Sequence, residues 1–270
     1  MVFRKLAVMS ITAVLSISFF SAALAAGPEV QERVIQEHKE IKDPDKLWER
    51  AVQGIDDSPY KESKATNTVS VKLIKKDSAG EIQTEEASDV TSETLSTTQL
   101  LSVVEKNGAK VESYATTTFA VVKGKNVPTK KPGVEDSNVS ILSSRDDSKW
   151  DDTIAVKAYS TVYWDNKYDS NNLLHVDMYG VTGGWSYGGE GNYTLSNRKV
   201  TNGQVGPSSF GITTYQTASF YPSTNTYSAV VPDSWYGVTS SKYSSVGSTS
   251  EITITRGTSS WLLSFPNRIY

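Results

Sequence analysis

Between Thr153 and Tyr187 the chain alternates apolar and polar side chains with a period of two. Ile154, Val156, Ala158, Val162 and Trp164 fall on one face, and Lys157, Tyr159, Thr161 and Tyr163 fall on the other. That is the pattern of a strand buried on one side, with Ser160 its one small polar inner residue. Residues 165–172 (Asp-Asn-Lys-Tyr-Asp-Ser-Asn-Asn) favour left-handed and self-bonded backbone, so a turn is predicted there. A second alternation follows, with Leu174, Val176 and Met178 opposed to His175, Asp177 and Tyr179, until Gly180 and Gly183-Gly184 interrupt it. The stretch therefore predicts a β-hairpin.

The same period appears elsewhere. Val69, Val71 and Leu73 alternate with polar residues, and a turn over 77–80 leads to a strand over 81–87. Strands over 98–105 and 110–122 flank Asn107-Gly108, a strong short-range hairpin signal. Further strands are predicted over 193–200, followed by a turn at Thr201-Asn202-Gly203-Gln204, and then over 210–220, 226–231, 241–245, 251–256 and 261–265. The helical period is confined to residues 28–54. Two short amphipathic helices are expected there, the second capped by Asp43 with Pro44 in its first turn.

These signals predict a mainly β protein: a signal peptide over 1–25, a helical segment over 26–60 and a small antiparallel β region over 61–125. A polar, proline-punctuated linker over 126–149 then leads to a C-terminal antiparallel β-sandwich over 150–270. The leader rests on Arg4 and Lys5, an apolar core from Leu6 to Phe20, and Ala23-Leu24-Ala25 as a small-residue cleavage site. A secreted, extracellular product cleaved near Ala25 with no stable membrane anchor is expected. The absence of cysteine from 270 residues fits a bacterial exported protein better than an animal one. Charge is unevenly spread, with 40 acidic or basic residues between Ala26 and Lys149 and 15 from Trp150 onward. A net charge of −3 gives no reason to expect a nucleic-acid partner.

One motif has the look of an enzyme. Gly184-Trp185-Ser186-Tyr187-Gly188 fits the nucleophile elbow of α/β-hydrolases, which would make Ser186 a nucleophile. Three features disfavour this: His175 precedes the serine, the following glycines cannot open a helix, and no strands and helices interleave. His175 and Asp177 project side by side about 7 Å apart on one strand, too far for the bond that orients a catalytic histidine, so a solvated polar face is expected. Oxygen-rich runs at Asp146, Asp147, Asp151 and Asp152 and at Asp165, Asn166, Asp169, Asn171 and Asn172 suit calcium chemically but lack EF-hand spacing. Solvated loop charges, no metal site and no cofactor are expected.

The aromatic residues carry the functional expectation. Tyr159, Tyr163 and Tyr179 on outward strand faces, with Trp185, Tyr187, Trp235 and Tyr236 in or beside turns, would form a binding face. The reading is a non-enzymatic extracellular binding protein whose partner is a cell-surface glycan or protein. The alternative is a membrane-active, toxin-like β protein, suggested by the Ser/Thr-rich alternation around Asn107-Gly108.

Overall fold

The computed structural model describes residues 32–60, 67–76, 80–88, 90–124, 156–169, 172–187, 193–208, 210–241 and 243–269. Along the chain run β1 (Glu32–Glu37), α1 (Pro44–Val52), β2 (Ser70–Lys76), β3 (Ile82–Glu86), β4 (Val90–Lys106) and β5 (Ala109–Gly124). They are followed by β6 (Val156–Tyr168), β7 (Leu174–Ser186), β8 (Tyr193–Pro207), β9 (Thr213–Phe220) and β10 (Thr226–Val230). The last are β11 (Val238–Thr239), β12 (Ser245–Arg256) and β13 (Ser259–Arg268). The protein is mainly β: two curled antiparallel sheets and one short helix in a sandwich-like arrangement. One sheet has the order β1-β4-β5-β6-β7-β10, with β11 also on β7, and the other β3-β2-β13-β12-β8-β9.

Turn chemistry acts where it was expected. Asn107 and Gly108 adopt φ of 52° and 78°, the left-handed pair that closes β4 onto β5. On β6 the inner face reads Val156, Ala158, Ser160, Val162, Trp164 and Asn166, all buried. The expected turn over 165–172 begins later, because each polar residue at its start finds a partner on a neighbouring segment. The Ser113 hydroxyl donates to Asp165 Oδ1 at 2.7 Å, the Tyr60 hydroxyl to Asn166 Oδ1 at 2.7 Å, and Lys167 Nζ to Asp177 Oδ2 at 2.7 Å. Likewise β8 runs straight through Thr201–Gln204, since Asn202 and Gln204 point into the protein and are buried.

Two expectations about the first half are corrected. Residues 32–37 form a strand, not a helix: a six-residue apolar spacing does not separate the two periods, and the backbone bonds available along 102–106 of β4 decide it. Nor is the sheet over 61–125 separate. β2 pairs with β13 and β5 with β6, so strands from both halves complete the same two sheets. Alternation reads the faces of a strand but not its neighbour. Residues 1–25, 77–79 and 126–149, read as leader, turn and linker, lie outside the described residues.

The second predicted helix is α1. The Asp43 side chain accepts from Asp45 N at 3.0 Å and Pro44 opens the first turn. Leu47 and Ala51 are buried against Phe119, and Trp48 meets Phe119 edge-on at 5.4 Å. Residues 38–60 thus form a strap that crosses the outer face of the first sheet and rounds its β4 edge, so that Tyr60 enters the core 5.6 Å from the Trp164 ring. The strap is bonded to β4 by Gln99, whose amide exchanges two hydrogen bonds with Ile41 N and O at 2.9 and 3.1 Å, and by Arg50, which donates to Thr97 Oγ1 and Thr98 O.

Between the sheets, Val156, Val162, Val181, Val200, Val246, Ile252, Leu263 and Phe265 are fully buried. A polar seam crosses this core. Asn267 Nδ2 donates to Thr116 O and Ser160 O at 2.9 and 2.7 Å while its Oδ1 accepts from Thr118 Oγ1 at 2.8 Å. Ser160 and Ser248 hydroxyls meet at 3.0 Å, and Tyr227 Oη and Ser250 Oγ at 2.6 Å. Each unmet buried group costs about 1–3 kcal/mol. Asn267→Ala is therefore expected to lower stability to urea by about 3 kcal/mol. Asn267→Asp, which sets a carboxylate against two carbonyl oxygens, is expected to be worse, and a loss within about 0.5 kcal/mol of zero for either would remove the seam from the account.

Candidate binding surface

The seven aromatic residues expected to form one face lie in three places. Tyr159 and Tyr163 do point outward from β6, but the strap covers them: Tyr159 packs with Leu47, Ala51 and Phe119, and the Tyr163 hydroxyl donates to Glu40 Oε1 at 2.7 Å. Tyr179 lies 6.0 Å from the Tyr163 ring and is exposed. Trp185 is 3% exposed, 5.0 Å from Tyr227, so it belongs to the core. Tyr187 is exposed beyond the end of β7, 6.4 Å from Tyr193. Trp235 packs half-buried on the core, and Tyr236 beside it is exposed. Tyr187 and Tyr236 lie near opposite ends of β7, roughly 30 Å apart at 3.3 Å per residue. A single patch of these seven does not exist.

The glycines of the elbow-like motif have a packing reason. A Cβ on Gly183 would sit 2.3 Å from Tyr227 Oη and 2.5 Å from Tyr159 O, and one on Gly184 would sit 2.9 Å from Asn225 O. Ser186 is the last residue of an antiparallel strand paired with Lys157, not the apex of a strand-to-helix turn. His175 lies eleven residues back on the same strand, about 36 Å away at 3.3 Å per residue, so the two cannot share a proton. His175 is also not part of a solvated face. It is buried, with Nε2 3.2 Å from Asp169 Oδ2, while Asp177 bonds Lys167 and Gln204. The segment that gave the toxin-like alternative, 98–122, occupies the middle strands β4 and β5, paired to β6 and covered by the strap. Asp165, Asn166 and Asp169 do not converge, and among the described residues no three acidic or histidine side chains group to hold a metal ion. Asp146, Asp147, Asp151, Asp152 and Asn171 lie outside the described residues.

What the structure does assemble is a flank poor in charge, with Asp233 and Arg268 at its margins. From Val200 to Pro232 the sequence holds no Asp, Glu, Lys, Arg or His. This stretch supplies half of β8, all of β9 and β10, and their connections. The β8–β9 turn is closed by Ser208 N donating to Ile212 O at 2.8 Å and Gly211 N to Ser208 O at 2.9 Å, with Gly211 left-handed at φ 75°. It lifts Phe210 and Ile212 into solvent, Phe210 at 69% exposure. Tyr215 projects from the outer face of β9 at 79%, and Tyr221 and Val230 are as open.

The loop 231–237 completes the flank, held by two glutamines facing each other across β8 and β9. Gln216 accepts from Tyr236 N at 2.6 Å and donates to Tyr236 O at 2.8 Å. Gln204 donates to the same carbonyl at 2.7 Å while accepting from Met178 N at 2.7 Å. So fixed, the Tyr236 ring meets Phe210 edge-on at 5.1 Å. On the outer face alongside, Gly203 and Gly247 oppose each other and open a shallow depression of about 130 Å³, rimmed by Thr201, Val205, Thr249 and Arg268. Hydroxyls and open rings thus lie on this flank, and the two amides fix it from within. Phe210, Ile212, Tyr215 and Tyr221 were not among the expected site residues. The signal that could have found them, the long gap between charges, was cut by the turn expected at Thr201–Gln204.

Compared with known protein families, curated proteins and solved structures, the chain matches none.

Several phenols are held neutral by the fold. Burial pushes Tyr227 and Tyr163 up to about 12, with Glu40 adding to the effect at Tyr163, and burial also raises Tyr60 and Tyr114. Their folded values lie above the unfolded value of about 10, so the folded state holds more protons above that pH. The stability they lend is complete below pH ~10 and is lost as pH climbs through ~12. Phenolate absorbance from these residues is expected to appear together with the loss of near-ultraviolet dichroism in alkali. Ionisation of the buried set while the dichroism persists would contradict their burial.

Proposed function

We propose that the protein is exported and acts as a non-catalytic binding protein whose contact surface is the charge-poor flank around Phe210, Tyr215 and Tyr236, with a neutral cell-surface glycan as ligand. The observation that carries this reading is the setting of open aromatic rings among uncharged hydroxyl groups. A sugar ring is apolar on its C–H face and studded with hydroxyls at its rim. It stacks on aromatic rings and bonds with Thr, Ser and Gln, while fixed charges contribute little to either contact. The glutamine clamp on Tyr236 supports it too, because a ring held before binding loses less freedom when the ligand arrives.

Glycan-array or wall-polysaccharide pull-down is the test. The double variant Phe210→Ala, Tyr236→Ala is expected to bind about tenfold more weakly or worse, equivalent to about 1.4 kcal/mol or more, with an unchanged melting temperature. Tyr187→Ala, near the opposite end of β7, is expected to bind as the parent does. Equal binding by the double variant, or no neutral glycan retained by the parent, would overturn the proposal.

A further inference from the structure

The two lateral edges of the sandwich are built differently. On one side β1 carries Glu32, Arg33 and Glu37 and a break in register after Val34, and the strap occupies the β4 edge beyond it. There His38 N donates to Leu101 O, Asp57 N to Thr98 O, and Thr98 N and Leu100 N to the carboxylates of Asp56 and Asp57. In the second sheet the same side ends in β3, with Glu85 and Glu86 facing Lys75 and Lys72. Charge, irregularity and a covering segment are the ordinary means by which a sheet edge is kept from pairing.

Among the described residues the other side has none of them. β9 is eight residues of Thr, Tyr, Gln, Ala, Ser and Phe, with no charge and no proline. It pairs with β8 in unbroken register from Thr213 to Phe220. Among the described residues no backbone group of another element bonds its far edge, so every second residue presents its N–H and C=O outward. The loop 231–237 reaches β9 only through the Gln216 side chain.

We infer that β9 is a strand-addition edge whose occupant is the β9 of a second copy of this chain, paired antiparallel across a two-fold axis. An isologous contact sets a surface against itself, which only an uncharged strand does without like-charge repulsion; Glu85 and Glu86 on β3 would face their own copies. Directly opposed residues in an antiparallel pair share a face, so the outward residues Thr213, Tyr215, Thr217 and Ser219 oppose one another. In one register Thr217 faces Thr217 and Tyr215 faces Ser219; in the other Tyr215 faces Thr217. Threonine–threonine and aromatic–β-branched pairs are both favourable across strands. The addition joins two six-stranded sheets edge to edge; it shares Tyr215 with the glycan reading, whereas Phe210 and Tyr236 lie outside the paired residues, so variants at those two separate the readings.

Sedimentation of the purified protein from micromolar to millimolar concentration is the test, with hydrogen exchange of the β9 amides. A mass twice that of the chain is expected, with amides of 213–220 protected at high concentration and released on dilution. Thr217→Lys, which places like charges across the axis at an exposed position, is expected to weaken the dimer about tenfold or more without changing the melting temperature. Ile82→Lys on the charged edge is expected to leave the mass unchanged, as is the Phe210→Ala, Tyr236→Ala variant. A monomer at every concentration overturns the inference. So does a dimer that Thr217→Lys leaves intact while the β9 amides exchange freely.

Discussion

The two sheets are joined by hydrogen bonds as well as by apolar contact, and Asn267 supplies three of those bonds. Its amide donates to carbonyl oxygens on two adjacent strands of the facing sheet and accepts a hydroxyl from a third position. A purely apolar interface would tolerate a sliding of one sheet over the other. An amide with three directional partners does not, because any displacement strands buried groups at a cost comparable to a core cavity. Thr118 and Ser160 face each other across β5 and β6, and Gly183 opposes Ser160 on β7, so the seam runs across the strands as one row. The glycine is there because the Tyr227 hydroxyl occupies the space of a Cβ on its way to Ser250.

The same chemistry closes the sheet edges. Gln99 pairs with both polar groups of Ile41, Gln216 with both of Tyr236, and Asn67 with N and O of Arg268 at 2.9 and 3.4 Å. In each case a side-chain amide takes the part a neighbouring strand would take, satisfying a peptide where the ladder has stopped. Gln204 does this in the gap between β10 and β11, where β7 would otherwise present Met178 N without a partner. The strap and the 231–237 loop are therefore fixed by amide pairing at particular residues, which is why irregular segments can hold Trp48 and Tyr236 in defined places.

Strand faces are legible in the sequence because alternation is a local property: it gives the inner row of β6 from Val156 to Trp164, Ser160 included, and stops short of Asn166. Legible too are the Asn107-Gly108 turn and the Asp43-Pro44 start of α1, whose signals lie within a few residues. What is not legible depends on partners distant in sequence. Residues 165–167 and 201–204 have turn composition and continue as strand because Tyr60, Ser113, Asp177 and Met178 meet them. The site reading failed for the same reason. Alternation places Tyr159 and Tyr163 outward, as they are, but nothing local says that Glu40 and α1 fold back over them, or that Trp185 turns onto Tyr227.

The uneven charge along the chain acquires a structural meaning once strands from both halves share both sheets. Residues rich in charge supply β1, β3 and the strap, and those form one lateral side; the nearly uncharged stretch supplies β9, β10 and the loop beside them, and those form the other. A sheet edge must have its backbone groups solvated, covered or paired. Charged side chains keep water and neighbours in order at the first side, so it can remain an edge. The second side lacks that protection yet carries Phe210, Tyr215, Tyr221 and Val230 in the open. Open aromatic and aliphatic area of this kind is costly in water, and burying it yields about 25 cal/mol per Å². A flank that combines unpaired backbone, unburied rings and no like-charge repulsion is thermodynamically poised for contact, whereas its opposite number is built to refuse it.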